Sequence, residues 1–191
     1  MKQTDNRRQA FRLTEHAFPP YSYVPRMHPH PFSSRLGHSR GIVHEAIGPG
    51  EETAARKVHD WAIDLFNHGF YWESHEAWES LWHSFGRNGA QAKFAKGLIK
   101  LAAAGVKARE GRAIGVKRHA GRAIELFDDC SAADAGQFQW CMGLSAAWLR
   151  AHCRAIFDHP ERFLEASDSD VICVFPFVLL PSYGTVSASS C

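Results

Sequence analysis

Residues 70–85 read FYWESHEAWESLWHSF, a stretch that combines three tryptophans with three glutamates. An α-helix turns by about 100° per residue, and on that wheel one stripe has the i, i+4, i+7 spacing of a buried face. The stripe consists of Tyr71, His75, Trp78, Trp82 and Phe85. Glu79 lies at its edge, whereas Glu73 and Glu76 point toward solvent. The stretch therefore predicts an amphipathic helix with a histidine and a carboxylate at the margin of an aromatic core.

Helical patterns continue on both sides of this stretch. Predicted helices cover about 52–67, 70–85, 90–109, 113–129 and 138–157. The third of them has an inner stripe of Phe94, Leu98, Leu101, Gly105 and Ala108. Gly97 and Gly105 are expected where another backbone comes close, because glycine otherwise weakens a helix. The predicted fold is all-α, a small antiparallel up-and-down bundle of three to five helices over residues 51–165.

The segments before and after the bundle have a different composition. Residues 1–50 begin with a polar stretch and continue as an arm whose five prolines between 19 and 31 exclude a helix. The arm also carries aromatic and histidine side chains, so we expect it to pack on the domain, with a disordered tail as the alternative. Residues 166–191 form a C-terminal tail. Its apolar part, 171–180, packs either across the bundle or across the subunit boundary of a homodimer.

Composition is typical of a soluble globular protein. Of the 191 residues, 45% are hydrophobic and 22% are charged, which suits one domain with extensions. The five cysteines are odd in number and form no C-x-x-C pair, which favours reduced thiols. No apolar segment of a secretory signal is visible at the N-terminus, and the longest apolar run is too short for a bilayer. We therefore expect a cytoplasmic protein without membrane partners.

Charge is segregated along the chain. Residues 45–85 hold eight acids against two bases, and residues 87–122 hold ten bases against one acid. A basic helix face can be a nucleic-acid footprint. Here, however, no aromatic side chains alternate with the basic residues, so nucleotide bases would have no ring to stack on. The net charge of the chain is only +2. The pattern disfavours nucleic acid as a partner and favours a solvated face or a match with the acidic second helix.

His75 and Glu79 are one helical turn apart, so both side chains can reach one point. A histidine with a carboxylate suits zinc, iron or manganese. The H-E-x-x-H signature is not met, because Glu79 occupies the place of its second histidine. A third ligand would come from elsewhere: His30, His38 or His44 on the arm, or His119 on the fourth helix. The alternative is a structural His75 that bonds a neighbouring carbonyl or carboxylate.

Three stretches carry a resemblance to a known family. They are LFNHGFYWESHEAWESLWHSF (65–85), KFAKGLIKLAAAGVKAREG (93–111) and GVKRHAGRAIELF (115–127). Together they resemble the family catalogued as domain of unknown function 309, in which an H-E-x-x-E-x-x-W helix precedes a G-L-I-Q-L-A-A-A helix. The arm, with its Pro-Pro-Tyr, Tyr-Val-Pro, Pro-His-Pro and Gly-His-Ser motifs, resembles the longer members. The resemblance covers about residues 18–128, implies a compact helical core and supplies no function.

One position departs from that family pattern. Lys100 stands where the family usually has glutamine after Gly-Leu-Ile. If the amide took part in a site, that site is altered in this chain. An arm and a helix that both bring histidines to one small domain nevertheless favour a composite site.

The functional hypothesis is a polar pocket at the margin of the second helix, closed by the arm, that binds a divalent metal ion or a small anionic ligand. As an enzyme it would be a metal-assisted hydrolase, with His75 and Glu79 as metal ligands and Glu76 as general base. Candidate ligand-binding residues are His30, His38, Trp78 and Trp82. On this hypothesis, alanine at position 30 or at position 75 causes the same binding defect. The alternative is a non-catalytic interaction module in which the histidine–glutamate pair only fixes helix packing.

Overall fold

The computed structural model describes residues 11–41, 47–48, 51–130 and 142–183, and the backbone of residues 131–133. Within these residues the chain forms five α-helices and one turn of 3-10 helix, with no strand. The helices are α1 (Glu52–Asn67), α2 (Tyr71–Ser84), α3 (Gly89–Arg109), α4 (Ala113–Ala133) and α5 (Ala146–Asp158), and the 3-10 turn is Pro160–Phe163. The predicted all-α class is confirmed.

Helices that are neighbours in sequence pack on one another. The pairs are α1 with α2, α2 with α3, α3 with α4, and α4 with α5. Short connections link α1 to α2, α2 to α3 and α3 to α4, and the packing order is that of an up-and-down bundle. At the first connection, Gly69 adopts a φ of 88°, and a Cβ there would lie 2.7 Å from the Ile172 carbonyl oxygen. Only glycine suits that turn, because it combines a positive φ with a backbone in close contact.

The buried face of α2 differs from the predicted stripe. Its fully buried side chains are Tyr71, Glu73, Ser74, Trp78 and Leu81. His75, Trp82 and Phe85 are only half-buried, on the flank of the helix. The prediction that Glu73 points to solvent is wrong, because the N-terminal arm covers that side of α2. The helix α2 is thus covered on more than one side, so a prediction from one apolar stripe identifies only part of its buried surface.

The inner face of α3 lies where the sequence predicts it. All five residues of the predicted α3 stripe are buried. The close approach expected at Gly97 and Gly105 occurs, but aromatic rings make it: a Cβ would lie 2.5 Å from the ring of Phe127 or of Tyr71, respectively. Because Gly97 and Gly105 have no side chains, rings from α4 and α2 pack directly on the backbone of α3.

The predicted fifth helix is not continuous, because residues 143–145 are not helical and α5 begins at Ala146. Ser145 accepts a hydrogen bond from the backbone N–H of Trp148 at 3.3 Å and so caps the first turn of α5. Gly143, with a φ of 67°, precedes it. The predicted start at 138 lies outside the described residues. Trp148 is exposed, whereas Leu149 is fully buried.

The C-terminal tail packs across this chain's own bundle. Phe175 and Leu179 are buried in the core. The Asn67 side chain donates to the Leu179 carbonyl at 2.9 Å and accepts from the Leu179 N–H at 2.7 Å. The Tyr71 hydroxyl accepts from the N–H of Val174 at 2.9 Å. None of the described helices combines the length and the apolar composition that a bilayer crossing requires.

The N-terminal arm lies on α1 and α2. The buried Asp64 carboxylate accepts hydrogen bonds from the N–H groups of Leu13 and Thr14, each at 2.8 Å. Val24 is 1% exposed. The ring of Phe18 stacks on that of Phe70, with 5.0 Å between centroids. Polar anchors and apolar contacts together hold the arm against the bundle.

Candidate functional site

Three potential metal ligands meet on one flank of α2. His75, Glu76 and Glu79 each offer a ligand atom, and these three atoms lie within 4.8 Å of one another. All three residues are half-buried, and the His75 Nδ1 lies 3.3 Å from a carboxylate oxygen of Glu76. One imidazole and two carboxylates are a donor set for zinc, iron or manganese. We call this group the α2 trio.

Two buried hydrogen bonds set the rotation of α2 and thereby the direction of the trio. The Ser74 hydroxyl donates to the Ala62 carbonyl of α1 at 2.9 Å. One turn later, the indole N–H of Trp78 donates to the His59 Nδ1 at 3.1 Å. Ser74 and Trp78 therefore face α1. His75 and Glu79, each the next residue along the helix, lie on a neighbouring flank. That flank is partly open to solvent, so a ligand could enter it.

The α2 trio shares an electrostatic environment with α3 and α4. Burial lowers the pKa of the Lys100 ammonium, the charge of Lys96 adds to that effect, and the Glu79 carboxylate opposes it. Burial also lowers the pKa of His119 to about 4, with Lys100 the next cause and the charge of His75 a smaller one. His119 is therefore neutral at neutral pH, the form in which an imidazole binds metal. Lys100, the residue that departs from the family pattern, therefore interacts electrostatically with Glu79 of the trio.

The arm meets the other flank of α2 through Glu73. The His38 Nε2 lies 3.1 Å from a carboxylate oxygen of Glu73, which also accepts the Tyr23 N–H at 2.8 Å. The Ser22 hydroxyl lies 3.4 Å from the second carboxylate oxygen. The predicted site residue His38 is thus held on Glu73 and does not belong to the trio. The sequence signal for this contact was the arm's own histidine content, but the helix wheel alone did not place the arm on this flank.

The second arm histidine has a local role. The His30 Nδ1 accepts hydrogen bonds from the N–H groups of Phe32 and Ser33, each at 3.3 Å. Its ring makes edge contacts with Tyr23 and Trp72, at centroid distances of 5.1 and 5.6 Å. His30 thus closes a turn of the arm, and the cluster of potential ligands on α2 does not include it. The geometry gives no reason for equal effects of substitutions at positions 30 and 75.

A cavity of about 530 Å³ lies between the arm, α1 and α2. Its lining is mostly apolar, with Trp61 and Trp72 among the aromatic residues and His38 and Glu73 at its polar side. Glu76 lines the cavity and also belongs to the α2 trio. This carboxylate therefore connects the arm-covered cavity with the potential metal ligands.

The two tryptophans predicted to bind a ligand have different surroundings. Trp78 is 0% exposed and packs in the core, as its predicted burial requires. Trp82 is half-buried, so its predicted burial is only partly correct. Its ring contacts two cations, with the Lys96 Nζ 5.0 Å and the Arg87 guanidinium carbon 5.5 Å from the ring centroid. Such contacts stabilise a partly exposed indole without burying it.

Comparison with known proteins gives a match over the central part of the chain and no activity. No curated protein and no solved structure matches the chain. Residues 60–119, which include α2, α3 and the α2 trio, match the model of the family described as domain of unknown function (DUF309), and the resemblance drawn from the sequence is thereby confirmed over these residues.

Proposed function

We propose that the protein binds a divalent metal ion through the α2 trio. The observation that carries this proposal is the convergence of three ligand atoms, from His75, Glu76 and Glu79, within 4.8 Å. Protein ligands stand about 2.0–2.2 Å from zinc. We expect rotations of these half-buried side chains, without a change in the backbone of α2, to bring the three atoms to that distance.

The trio also suits a hydrolase. With two of its three residues as metal ligands, coordination positions remain for water and substrate, and a bound divalent ion lowers the pKa of such a water. We assign His75 and Glu79 as metal ligands, since they are one helical turn apart. Glu76, which also lines the arm-covered cavity, is then available as the general base.

The contacts of His75 argue against a purely structural role. Its hydrogen-bond partner among the described residues is Glu76, the next residue of the same helix. A contact within α2 does not fix packing between helices. His59 and His38, by contrast, each connect α1 or the arm with α2. This favours a binding role for the trio over the interaction-module alternative.

Metal content of untagged protein tests the proposal. After incubation with Zn²⁺ or Mn²⁺ and removal of the excess, wild-type protein should retain about one ion per chain. His75→Ala and Glu79→Gln should lose that ion, because each removes a ligand. His83→Ala is the matched control, since His83 is an exposed histidine of the same helix. Retention by the first two variants, or no uptake by wild-type protein, would contradict a metal site on α2.

Catalysis is tested separately with Glu76→Gln. This variant keeps a side chain of the same size but cannot accept a proton at neutral pH. If Glu76 is the general base, the variant should still retain metal through the two assigned ligands but hydrolyse ester and phosphoester substrates at least about 100-fold more slowly than wild-type protein. Equal rates of the two proteins would rule out this role for Glu76 and leave the metal proposal unaffected.

A further inference from the structure

A groove with basic walls lies beside α3 and α4, and the metal proposal does not use it. It has a volume of about 700 Å³. Its cationic side chains are Lys96, Lys100, Lys117, Arg118 and Arg122. A side chain of α5, Phe157, supplies an apolar part of the wall, and Glu125 is its acidic member. The groove therefore gathers five positive charges against one negative charge.

These cations repel one another in the absence of a ligand. Lys100 is half-buried, and no hydrogen bond or ion pair to it occurs among the described residues. Burial lowers the pKa of its ammonium, and the charges of Lys96 and Arg122 lower it further. Glu125 forms an ion pair with Arg122 and so neutralises one of the five. Lys117, Arg118 and Arg122 are exposed, and together with the half-buried Lys96 and Lys100 they line one concave surface.

We propose that this groove binds a small phosphate-bearing ligand. Lysine ammonium groups act as point charges for phosphate, and arginine guanidinium groups can bind two of its oxygens at once. Arg118 and Arg122 are one turn apart on α4 and present two such groups to the same groove. The volume lies within the range of small-molecule sites.

The lining favours a small ligand over a nucleic acid. Phe157 is its aromatic residue, and cations already cover that ring, with the Lys117 Nζ 4.9 Å and the Arg154 guanidinium carbon 5.7 Å from its centroid. Single-stranded nucleic acids need open aromatic faces for their bases. His119 adds a neutral imidazole whose N–H can donate a hydrogen bond to a phosphate oxygen.

The proposal goes beyond the metal site and does not depend on it. Inorganic pyrophosphate is the probe, titrated calorimetrically into full-length, untagged protein from which metal has been removed with a chelator. Failure of the metal proposal would leave this measurement unchanged. Wild-type protein should bind pyrophosphate with an affinity that falls as salt is added, because the interaction is between charges.

Substitutions within the groove locate the binding. Lys100→Gln and Arg118→Gln should each weaken pyrophosphate binding about tenfold or more, because each removes a charged donor. Lys57→Gln, the same loss of charge on an exposed residue of α1, should leave binding unchanged. The melting temperature without ligand should stay the same or rise in Lys100→Gln, since repulsion is relieved. This second readout shows that the variant is folded.

Three outcomes would overturn the proposal. The first is absence of pyrophosphate binding to wild-type protein. The second is equal binding by wild-type protein and both groove variants, which would place the anion elsewhere. The third is binding of a single-stranded oligonucleotide, but not of pyrophosphate, with the same sensitivity to Lys100→Gln and Arg118→Gln. That result would make the groove a nucleic-acid surface.

Discussion

His59 joins three parts of the bundle through one neutral imidazole. The residue is 2% exposed, its Nε2–H donates to the Met142 carbonyl at 2.8 Å, and its Nδ1 accepts the indole N–H of Trp78 at 3.1 Å. Sequence periodicity predicted the burial of Trp78 but not its partner. Periodicity reports which face of a helix is buried, whereas the polar group met there belongs to another element.

The neutral state of His59 predicts a loss of stability in acid. Burial lowers its pKa from the ordinary value of 6.5 to about 4. Below pH 6.5 the unfolded chain thus binds a proton at His59, whereas the folded protein binds it only when the pH falls to about 4. The stabilisation is complete above pH 6.5 and decreases as the pH falls to about 4, by roughly 3 kcal/mol in total.

Urea unfolding of wild-type protein and His59→Gln at several pH values measures this effect. Glutamine does not titrate and can still donate to the Met142 carbonyl. The variant should be less stable at pH 7, because the Trp78 N–H loses its acceptor. The difference between the two proteins should shrink between pH 6.5 and about pH 4. A difference that stays constant over this range would mean that His59 is not held neutral.

At the scale of the element, α2 has three differently occupied sides. One packs on α1 through Trp78, one carries the half-buried trio and one receives the arm at Glu73. The sequence predicted the helix, its histidine–carboxylate pair at a margin and the burial of Trp78. It did not predict the burial of Glu73, because a charged residue off the apolar stripe is normally solvated. The arm that covers this carboxylate comes from a segment without helical or strand periodicity.

Glu73 should therefore control how firmly the arm is held. In wild-type protein, trypsin should cut slowly at the exposed Arg26 and Arg35, because the arm must detach first. Glu73→Ala removes the acceptor of the Tyr23 N–H and of His38. Losing these contacts should speed cleavage by about tenfold or more while the helical core stays intact.

Glu76→Ala is the matched control for the arm experiment. It removes a carboxylate from the same helix, and Glu76 has no hydrogen bond to the arm within the described part of the chain. Its cleavage rate should equal that of wild-type protein. Rapid cutting of wild-type protein at either arginine would show instead that the arm is a loose tail.

Over the whole molecule, the sequence predicted the local parts better than the distant ones. The helices of residues 52–133 begin and end near their predicted positions, because caps, glycines and periodicity are local signals. For α5, the apolar pattern continued upstream, and the cap at Ser145 was not recognised. For the tail, composition left two placements open, and the structure brings Leu179 to Asn67 at the end of α1. No local pattern encodes a contact between residues so far apart in the chain.

Asn67 tests how much this distant contact contributes to the fold. It is 4% exposed, and its amide forms two hydrogen bonds with the backbone of Leu179. Asn67→Ala leaves a buried N–H and a buried carbonyl without partners, at a cost of roughly 2–4 kcal/mol together. For a chain of this size, that corresponds to a fall in melting temperature of about 5–15 °C. Asn88→Ala, an exposed control with one hydrogen bond to the Gly86 carbonyl, should melt within a degree or two of wild-type protein.

The same variant separates loss of the tail from loss of the bundle. The tail covers the core with Phe175 and is bonded through Asn67 at one point and through the Tyr71 hydroxyl at another. Weakening one of two anchors should expose the tail before the helices unfold. Chymotrypsin should therefore cut Asn67→Ala at Phe175 or Phe177 under native conditions, with the far-ultraviolet circular dichroism unchanged. If Asn67→Ala melts like Asn88→Ala and resists the protease, apolar packing and the Tyr71 hydroxyl are enough to hold the tail, and the amide at the end of α1 does not determine its course.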